Sequence, residues 1–489
     1  MSNEKYKLHP ITTVINFLKA FKELLIPIAI LIVANGFNFN FDYRDENFIG
    51  EMIPLLFLFV FVIYSLFNGI VKWWTFTYWF EDSELRVEYG LFVKKKRYIP
   101  FDRIQSLNYK EGIFHRLFGL VQVMVETAGS KNGKPEAELT AVTRQAAEQI
   151  EREMKKAKQI TTGDAAVVEE ILQPPVKVLH KMATGELLLL ATTSSGIGVV
   201  LAGIIAAVSQ FADLIPFEMI FKELSYLMKY SFLIITILVV ISLILAWVVS
   251  VIMTFLSYYN FTVTEESERL VITRGLLEKK RITIPLNRVQ AIKIVENPFR
   301  QMLGLAAVVV ESAGGGFSGD KDKKIVLFPL ISKKAALNPL NELFPQLNFN
   351  YTPEVSSPNR ARKFFYRIDF IWVVPLMVVL SYFFFPYGLL SLLLIVPVIV
   401  LGIWRHKTAG FTIADQQLTI VSRGISRVTF FAEKKRIQVV QSSQSYFQKR
   451  KKVASARIVV MSGMNGAAAK AYHMEQQQIE EIYHWYERE

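Results

Sequence analysis

The sequence predicts a membrane protein that is part α-helical and part β: six transmembrane helices in three pairs, each pair followed by a small β domain and a closing helix. Three observations carry this. Residues 85–129 and 270–314 align without a gap, with Gly90 matching Gly275, Pro100 matching Pro285, Gly119 matching Gly304 and Glu126 matching Glu311 at one constant spacing. A more divergent copy runs from Gly410 to the C-terminus, where Gly424, Arg436, Gln438 and Phe447 answer Gly275, Arg288, Gln290 and Phe299. Repetition of this kind sets the unit of the fold before any other signal is read. Finally, long apolar runs alternate with charged stretches of short period, and a length of 489 residues suits about three domains.

Taken in order, Lys5, Lys7, Lys19 and Lys22 precede the apolar run 24–41, whose Asn35-Gly36-Phe37-Asn38 offers no small-residue cleavage site. The run is therefore read as a retained span, not a signal peptide. After the polar loop 42–51, residues 52–74 form a second span, since a hydrocarbon layer of roughly 30 Å needs about 20 helical residues. Trp73, Trp74, Tyr78 and Trp79 form an aromatic belt at its end. From 80 to 127 the pattern changes to short alternating segments of Val, Ile, Tyr and Phe broken by Gly, Pro, Asp and Asn, which reads as strands and turns. Residues 111–119 interrupt it with a helical turn, 137–142 add a strand, and 145–158 form an amphipathic helix with Ala147, Ile150 and Met154 on one side. The second copy repeats this order, with spans near 187–208 and 231–255, strands over 259–311 and 324–330, and a closing helix over 332–344. The third has spans at 368–385 and 389–404, strands over 410–461 and 468–473, and a helix from 476 to the end. The resulting domains are 1–75 (span pair), 76–160 (β domain), 161–182 (linker), 183–257 (span pair), 258–346 (β domain), 347–362 (linker), 363–407 (span pair) and 408–489 (divergent β domain).

Charge sets the expected topology. Lys19, Lys22, Lys72, Lys177, Lys181, Arg360, Arg362, Lys363, Arg367, Arg405 and Lys407 flank the span ends that face the β domains, whereas the loop 42–51 is acidic and the turn 386–388 uncharged. Lys222 and Lys229 run against the pattern but share their loop with Asp213, Glu218 and Glu223. The β domains and both termini are thus expected in the cytoplasm, the protein being a multi-pass cell-membrane protein. The net charge of +13 fits the inner membrane face better than nucleic acid, and no nucleic-acid partner is expected. With no cysteine, disulfides and thiolate metal sites are excluded.

Catalysis finds no support. His9, His115, His180, His406, His473 and His484 lack metal-ligand spacing. There is no phosphate-binding loop and no nucleophile elbow, so neither enzyme activity nor a cofactor is expected. Within the spans, Asn68, Glu186 and Asp369 are the notable polar residues, the last two at inner ends. Such groups are functional by default in a bilayer, but no span carries the acidic or basic pairs of a proton relay.

Three repeated features are candidate contacts. The basic cluster is Lys94, Lys95, Lys96 and Arg97, then Lys279, Lys280 and Arg281, then Lys434 and Lys435. It reads either as a solvated edge that blocks aggregation or as a contact to anionic headgroups, worth about 1 kcal/mol per cation. Side chains alternate along a strand, so at most two of the first four can face a bilayer together. The second feature is the Arg–Ile/Val–Gln triplet, Arg103 to Gln105, Arg288 to Gln290 and Arg436 to Gln438, which either caps a turn or contacts a ligand or partner. The third is the helical turn at 113–119, 298–304 and 446–452, mixing aromatic and basic residues. It is expected to plug one end of a small barrel, with an interfacial position on the bilayer as the alternative.

The order two spans, strand, K-K-x-x-I-P, R-[IV]-Q, F-x-x-[LM]-[FL]-G-L, V-x-V-E-[ST]-A-G resembles the bacterial pleckstrin-homology (PH)-like domain of membrane proteins. Three such units in one chain are similar to the YdbT-type family of Gram-positive bacteria. The third copy lacks the equivalents of Pro285, Gly304 and Glu311. The resemblance implies a seven-stranded open barrel closed by a C-terminal helix. It also implies a smaller companion membrane protein with one such domain, and a link to tolerance of antimicrobial peptides or bacteriocins. The expected function is a non-enzymatic membrane scaffold, with membrane lipids, the companion and further copies of the chain as expected partners. A transporter or exporter subunit and an anionic-lipid sensor are the rivals.

Overall fold

The computed structural model describes residues 5–34, 48–127, 135–162, 176–194, 231–313, 325–350, 352–383, 385–462 and 466–487. Module 1 comprises β1 (Tyr6–Lys7), α1 (Ile11–Ala34), α2 (Phe48–Thr75), β2 (Thr77–Glu81), β3 (Glu84–Tyr89), β4 (Lys95–Pro100), β5 (Ile104–Glu111), α3 (Ile113–Leu117), β6 (Leu120–Thr127), β7 (Ala137–Thr143) and α4 (Arg144–Thr162). Module 2 repeats them as β8 (Lys177–Lys181), α5 (Thr184–Thr192), α6 (Ser231–Tyr258), β9 (Thr262–Glu266), β10 (Arg269–Arg274), β11 (Lys279–Pro285), β12 (Val289–Glu296), α7 (Pro298–Met302), β13 (Leu305–Ser312), β14 (Ile325–Ser332) and α8 (Lys333–Leu343). Module 3 consists of β15 (Val355–Ser356), α9 (Phe364–Phe383), α10 (Ile395–Thr408), β16 (Gly410–Ala414), β17 (Gln417–Arg423), β18 (Arg427–Glu433), β19 (Ile437–Ser443), α11 (Tyr446–Arg450), β20 (Val453–Val460), β21 (Ala467–Glu475) and α12 (Gln476–Glu487).

The strands do not close into three separate barrels. Sheet orders are β1-β2-β3-β4, then β7-β6-β5-β11-β10-β9-β8, then β14-β13-β12-β18-β17-β16-β15, and finally β19-β20-β21. Each module divides its strands between two sheets, and the second sheet of one module continues into the first sheet of the next. At joint 1, β5 pairs antiparallel with β11, Glu111 opposite Lys279, Lys110 opposite Lys280 and Tyr109 opposite Arg281. At joint 2, β12 pairs with β18, Glu296 opposite Arg427, Val295 opposite Val428, Ile294 opposite Thr429 and Ile292 opposite Phe431. Glu111 and Glu296 hold one place in the repeat, offset from each other just as Gly90 is from Gly275. Lys279 and Arg427 hold another, offset as Arg288 is from Arg436. The two joints therefore have the same register. Ladder bonds across an open edge satisfy donors and acceptors that a lone module would leave to water.

The cores follow these joints. Module 1 packs Leu85, Ile104, Leu139, Ile150 and Met154, with Ala147, Ile150 and Met154 from the expected face of the closing helix. The core of module 2 takes in Phe431 from module 3 and Met124 from module 1. Ala291 of module 2 lies in the core of module 3.

Two of the expected boundaries shift. The stretches read as linkers, 161–182 and 347–362, each supply an edge strand to the module that follows: β8 pairs with β9 and β15 with β16. Leu347 and Phe349 are also buried in the core of module 2. Strands thus precede and follow each span pair and lie in one sheet, so both ends of a pair root in the same module.

Among the described residues three helices are long and apolar enough to span, at Leu56–Thr75, Val239–Tyr258 and Gly388–Thr408. The bent pair Asn359–Arg367 and Asp369–Phe383, with 44° between its parts, would be a fourth. This falls short of the six expected. Residues 35–41 and 195–208 of the expected first spans, 24–41 and 187–208, lie outside the residues whose placement is described. Glu186 accepts the N–H of Ala183 at 3.0 Å as a helix cap, and Asp369 pairs with Arg405. Each carboxylate thus has a partner within its own module.

The matched glycines have a backbone cause. Gly90 and Gly275 adopt φ 107° and 108° in the β3–β4 and β10–β11 hairpins, where a Cβ would lie 2.2 Å from the Val93 carbonyl oxygen and 2.1 Å from that of Glu278. Gly424 differs: its hairpin is one residue shorter, and a Cβ there meets nothing within 4 Å. Gly275→Val should therefore lower the stability of module 2 by about 2 kcal/mol, and Gly424→Ala should leave module 3 within about 0.5 kcal/mol. Thermal melting of the two variants checks this; equal effects would show that the turn tolerates a side chain.

Candidate functional site

Each module presents two loops beside its span roots. The β3–β4 hairpin meets the end of the second span helix, the Gly90 N–H donating to Thr75 Oγ1 at 3.3 Å. In module 2, the Gly275 and Leu276 N–H groups donate to Tyr259 and Leu256 carbonyls at 2.9 Å. In module 3, Arg405 Nε donates to the Gly424 carbonyl at 3.1 Å. The short helix meets the first span helix of the pair: Asn297 Nδ2 donates to the Thr193 carbonyl at 2.7 Å and Arg300 Nε to Thr193 Oγ1 at 3.1 Å. In module 3, the Arg367 guanidinium lies 4.5 Å from the Phe447 ring centre. Adjacent modules join these loops into a rim, Arg116 of α3 donating to the Leu276 carbonyl at 2.7 Å and Arg423 to Gln301 of α7 at 2.6 Å.

The short helices are inside out. His115, Arg300 and Gln448 occupy the same repeat position, and all three are buried. His115 Nε2 bonds the Thr140 carbonyl at 2.8 Å, Arg300 donates to Pro329, and Gln448 donates to Ser455 Oγ at 3.2 Å. The apolar residues face out instead: Leu117 is 73% exposed, Met302 85%, and Phe92 at the first hairpin tip 95%. The expected barrel plug is corrected accordingly, since a plug would bury these side chains. Apolar groups exposed beside span roots fit the bilayer interface.

The basic clusters part company. Lys279, Lys280 and Arg281 lie within joint 1, where Glu278 meets Lys110 at 2.9 Å and Lys280 at 3.3 Å. Arg281 bonds Glu266 at 3.1 Å and stands 5.8 Å from the Tyr109 ring. In module 1 the equivalent Lys94, Lys95 and Lys96 are exposed, and Arg97 meets Glu136 at 3.6 Å. Lys434 and Lys435 are not their equivalents. They sit in the 3-10 turn Lys434–Arg436, at the place of Leu286 and Asn287, with Lys434 5.7 Å from the Trp485 ring and Lys435 on Glu433 at 2.7 Å. The strand position of Lys279 to Arg281 is held in module 3 by Arg427, Val428 and Thr429.

The Arg–Ile/Val–Gln triplets start each second sheet, the Arg ending a 3-10 turn in every module. Among the described residues no contact joins Arg103 or Gln105 to the other two triplets. Gln290 bonds the Arg288 carbonyl at 3.1 Å, and Arg436 donates to the Asn287 carbonyl of module 2 at 3.0 Å. The Gln438 carbonyl accepts from Tyr486 at 3.3 Å. A cleft of about 360 Å³ between modules 2 and 3 gathers Gln290, Lys435 and Arg436, but Glu265, Glu268 and Glu433 line it too, which does not suit an anion.

One matched residue was given no role by the sequence. Glu126 and Glu311 are buried behind joints 1 and 2. Glu126 accepts from Ser106 Oγ at 2.8 Å and Asn108 Nδ2 at 3.0 Å, while Asn108 Oδ1 accepts the Thr283 N–H across joint 1 at 3.0 Å. Burial pushes the Glu126 carboxyl up to about 7, against the lowering effect of those two bonds. Glu311 instead has Lys293 at 2.6 Å and, from module 3, Ser462 at 2.6 Å. The matched placement of the two glutamates in the repeat was the signal that could have marked them.

Repeated open-sheet modules, each rooted on apolar helices, define a membrane protein of PH-like domains. The chain belongs to the bacterial PH domain family, whose model matches residues 23–158, 197–340 and 370–489. It is 35% identical over 507 residues to the "UPF0699 transmembrane protein YdbT" of Bacillus subtilis (strain 168), a match covering 100% of this chain and 99% of that protein.

Proposed function

We propose that the chain is a non-enzymatic membrane scaffold of six spans that carries its modules as one strand-paired arm along the cytoplasmic face. The observation that supports this most is the pair of joints with a shared register, β5 to β11 and β12 to β18. Two ladders of this kind hold three modules in fixed order beside the bilayer, which suits presentation of surfaces and not turnover of a substrate. A smaller single-module companion and a role in antimicrobial-peptide or bacteriocin tolerance complete the proposal and rest on the resemblance alone. Hydrogen exchange on the full-length protein in nanodiscs tests the arm. Amides at 279–281 and 427–431 should exchange as slowly as those of β10, and fast exchange at both joints would reduce the arm to independent beads. Reporter fusions after Lys158, Phe344 and Glu489 should read cytoplasm and one within 42–51 the outside; an external signal after Lys158 overturns the topology.

The exposed apolar rim favours a second reading, in which the hairpin tips and short helices dip into the headgroup layer. Cations beside it add about 1 kcal/mol each when within the Debye length of about 8 Å. The chain has no cysteine, so Phe92→Cys takes a single environment-sensitive dye. Its emission should shift to the blue in anionic vesicles and return on high salt only in part; emission typical of water in every lipid removes the reading.

A further inference from the structure

The two ends of the arm are complementary halves of the joint that the chain already makes twice. β4 of module 1 holds the place of β11 and β18, and β19 of module 3 holds the place of β5 and β12. Among the described residues each has a strand on one side only. We infer that β4 of one copy pairs antiparallel with β19 of a second copy in the register of the internal joints, making head-to-tail rows in the membrane. This rests on the strand-paired arm proposed above, which hydrogen exchange at the internal joints tests separately.

The alignment of the three modules fixes the register. It sets Lys94 opposite Gln444, Lys96 opposite Ser442 and Tyr98 opposite Val440, as Lys279 faces Glu111, Arg281 faces Tyr109 and Phe431 faces Ile292. The chemistry agrees. Tyr98, an aromatic ring 55% exposed at the open edge, would meet Val440 as the fully buried Phe431 meets Ile292. The facing stretch Gln441-Ser442-Ser443-Gln444 has no cation, and its amide and hydroxyl oxygens accept from Lys and Arg. A lysine run on an edge ordinarily prevents pairing. Here the matching run Lys279, Lys280 and Arg281 lies inside a formed joint, so the run does not bar one. Internal joints link modules rooted on the same side, so a third joint of that kind keeps the next copy upright in the same bilayer. Such a head-to-tail contact is heterologous and grows into rows or closes into rings.

The test uses full-length chains, each labelled at one introduced cysteine, in liposomes at low protein density, and reads energy transfer between copies. Lys96→Pro blocks β4. The Thr283 N–H points across joint 1, N–H groups alternate along a strand, and Lys96 stands at the place of Arg281, so its N–H faces the open edge and the β3 ladder is spared. Ser442→Pro blocks β19 in the same way, because Ser442 stands directly opposite Lys96, its N–H faces the open edge too, and the β20 ladder is spared. Wild type should transfer well above random proximity, and each variant alone should fall at least tenfold towards it. Mixed, the two variants should regain transfer, because one keeps β19 and the other β4, and that recovery shows that both fold. Wild type at random proximity overturns the inference, whether or not another protein fits the edge. So does transfer that either variant leaves unchanged, or a mixture that stays dark.

Discussion

Phe431→Ala should cost about 3–5 kcal/mol, the range for removing a buried phenylalanine, and the loss should appear in two modules. Phe431 belongs to β18 of module 3, yet it is fully buried in the core of module 2, 5.2 Å from the Phe349 ring and T-shaped to it. Its neighbour across the joint is Ile292. The repeat supplies an internal control. Tyr98 holds the same place in β4, pairing with Arg86 as Phe431 pairs with Thr419, but it stands at the open end of the arm. In dispersed single copies in detergent, where β4 has no second chain beside it, Tyr98→Ala should cost less than about 1 kcal/mol, mostly the stacking of Arg86 at 5.3 Å. Thermal melting gives the totals, and hydrogen exchange over 289–296 shows whether module 2 loosens when module 3 is altered. Equal costs at the two positions, or a change confined to module 3, would mean that the joint transmits no stability.

The repeat unit was legible because its signals are local. Alternating apolar residues, the glycines at positive φ and the amphipathic helix around Ile150 each depend on neighbours a few residues away. The joints were not legible. Whether Lys279, Lys280 and Arg281 form a solvated edge or the middle of a seven-stranded sheet depends on β5, which lies a whole module earlier in the chain, and a basic run reads alike in both cases. The third copy misled for a different reason. Its strand carries Arg427, Val428 and Thr429 where Lys279, Lys280 and Arg281 stand, so matching by residue type picked the next basic pair, Lys434 and Lys435, which lies in the following 3-10 turn. The short helices misled because their pattern is inverted: one polar residue, His115, Arg300 or Gln448, points inward, and the apolar ones point out. In a soluble protein the apolar face marks the core; beside span roots the rule reverses, and only the placement of the roots reveals it.

The stability of module 1 should fall as pH rises from about 4.5 to about 7, with Glu126 as the cause. Its carboxyl has an ordinary value of 4.5 and is pushed up to about 7 by burial. Below 4.5 the group is protonated in both the folded and unfolded chain and contributes no pH dependence. Between 4.5 and 7 the unfolded chain releases the proton while the folded chain keeps it, so the folded state binds more protons and loses stability with each step of pH. Above 7 both forms are ionised and the penalty levels off at about 3 kcal/mol, from about 1.4 kcal/mol per unit. Glu126→Gln removes the titration and keeps both bonds, its carbonyl accepting from Asn108 and its amide donating to Ser106. The variant should match wild type near pH 4.5 and be more stable by about 3 kcal/mol at pH 8. The same contrast should reach joint 1, since Asn108 also accepts the Thr283 N–H: exchange of that amide, corrected for its intrinsic rate, should quicken with pH in wild type and hold level in the variant. Melting curves that run parallel across the whole range would remove Glu126 as the titrating group.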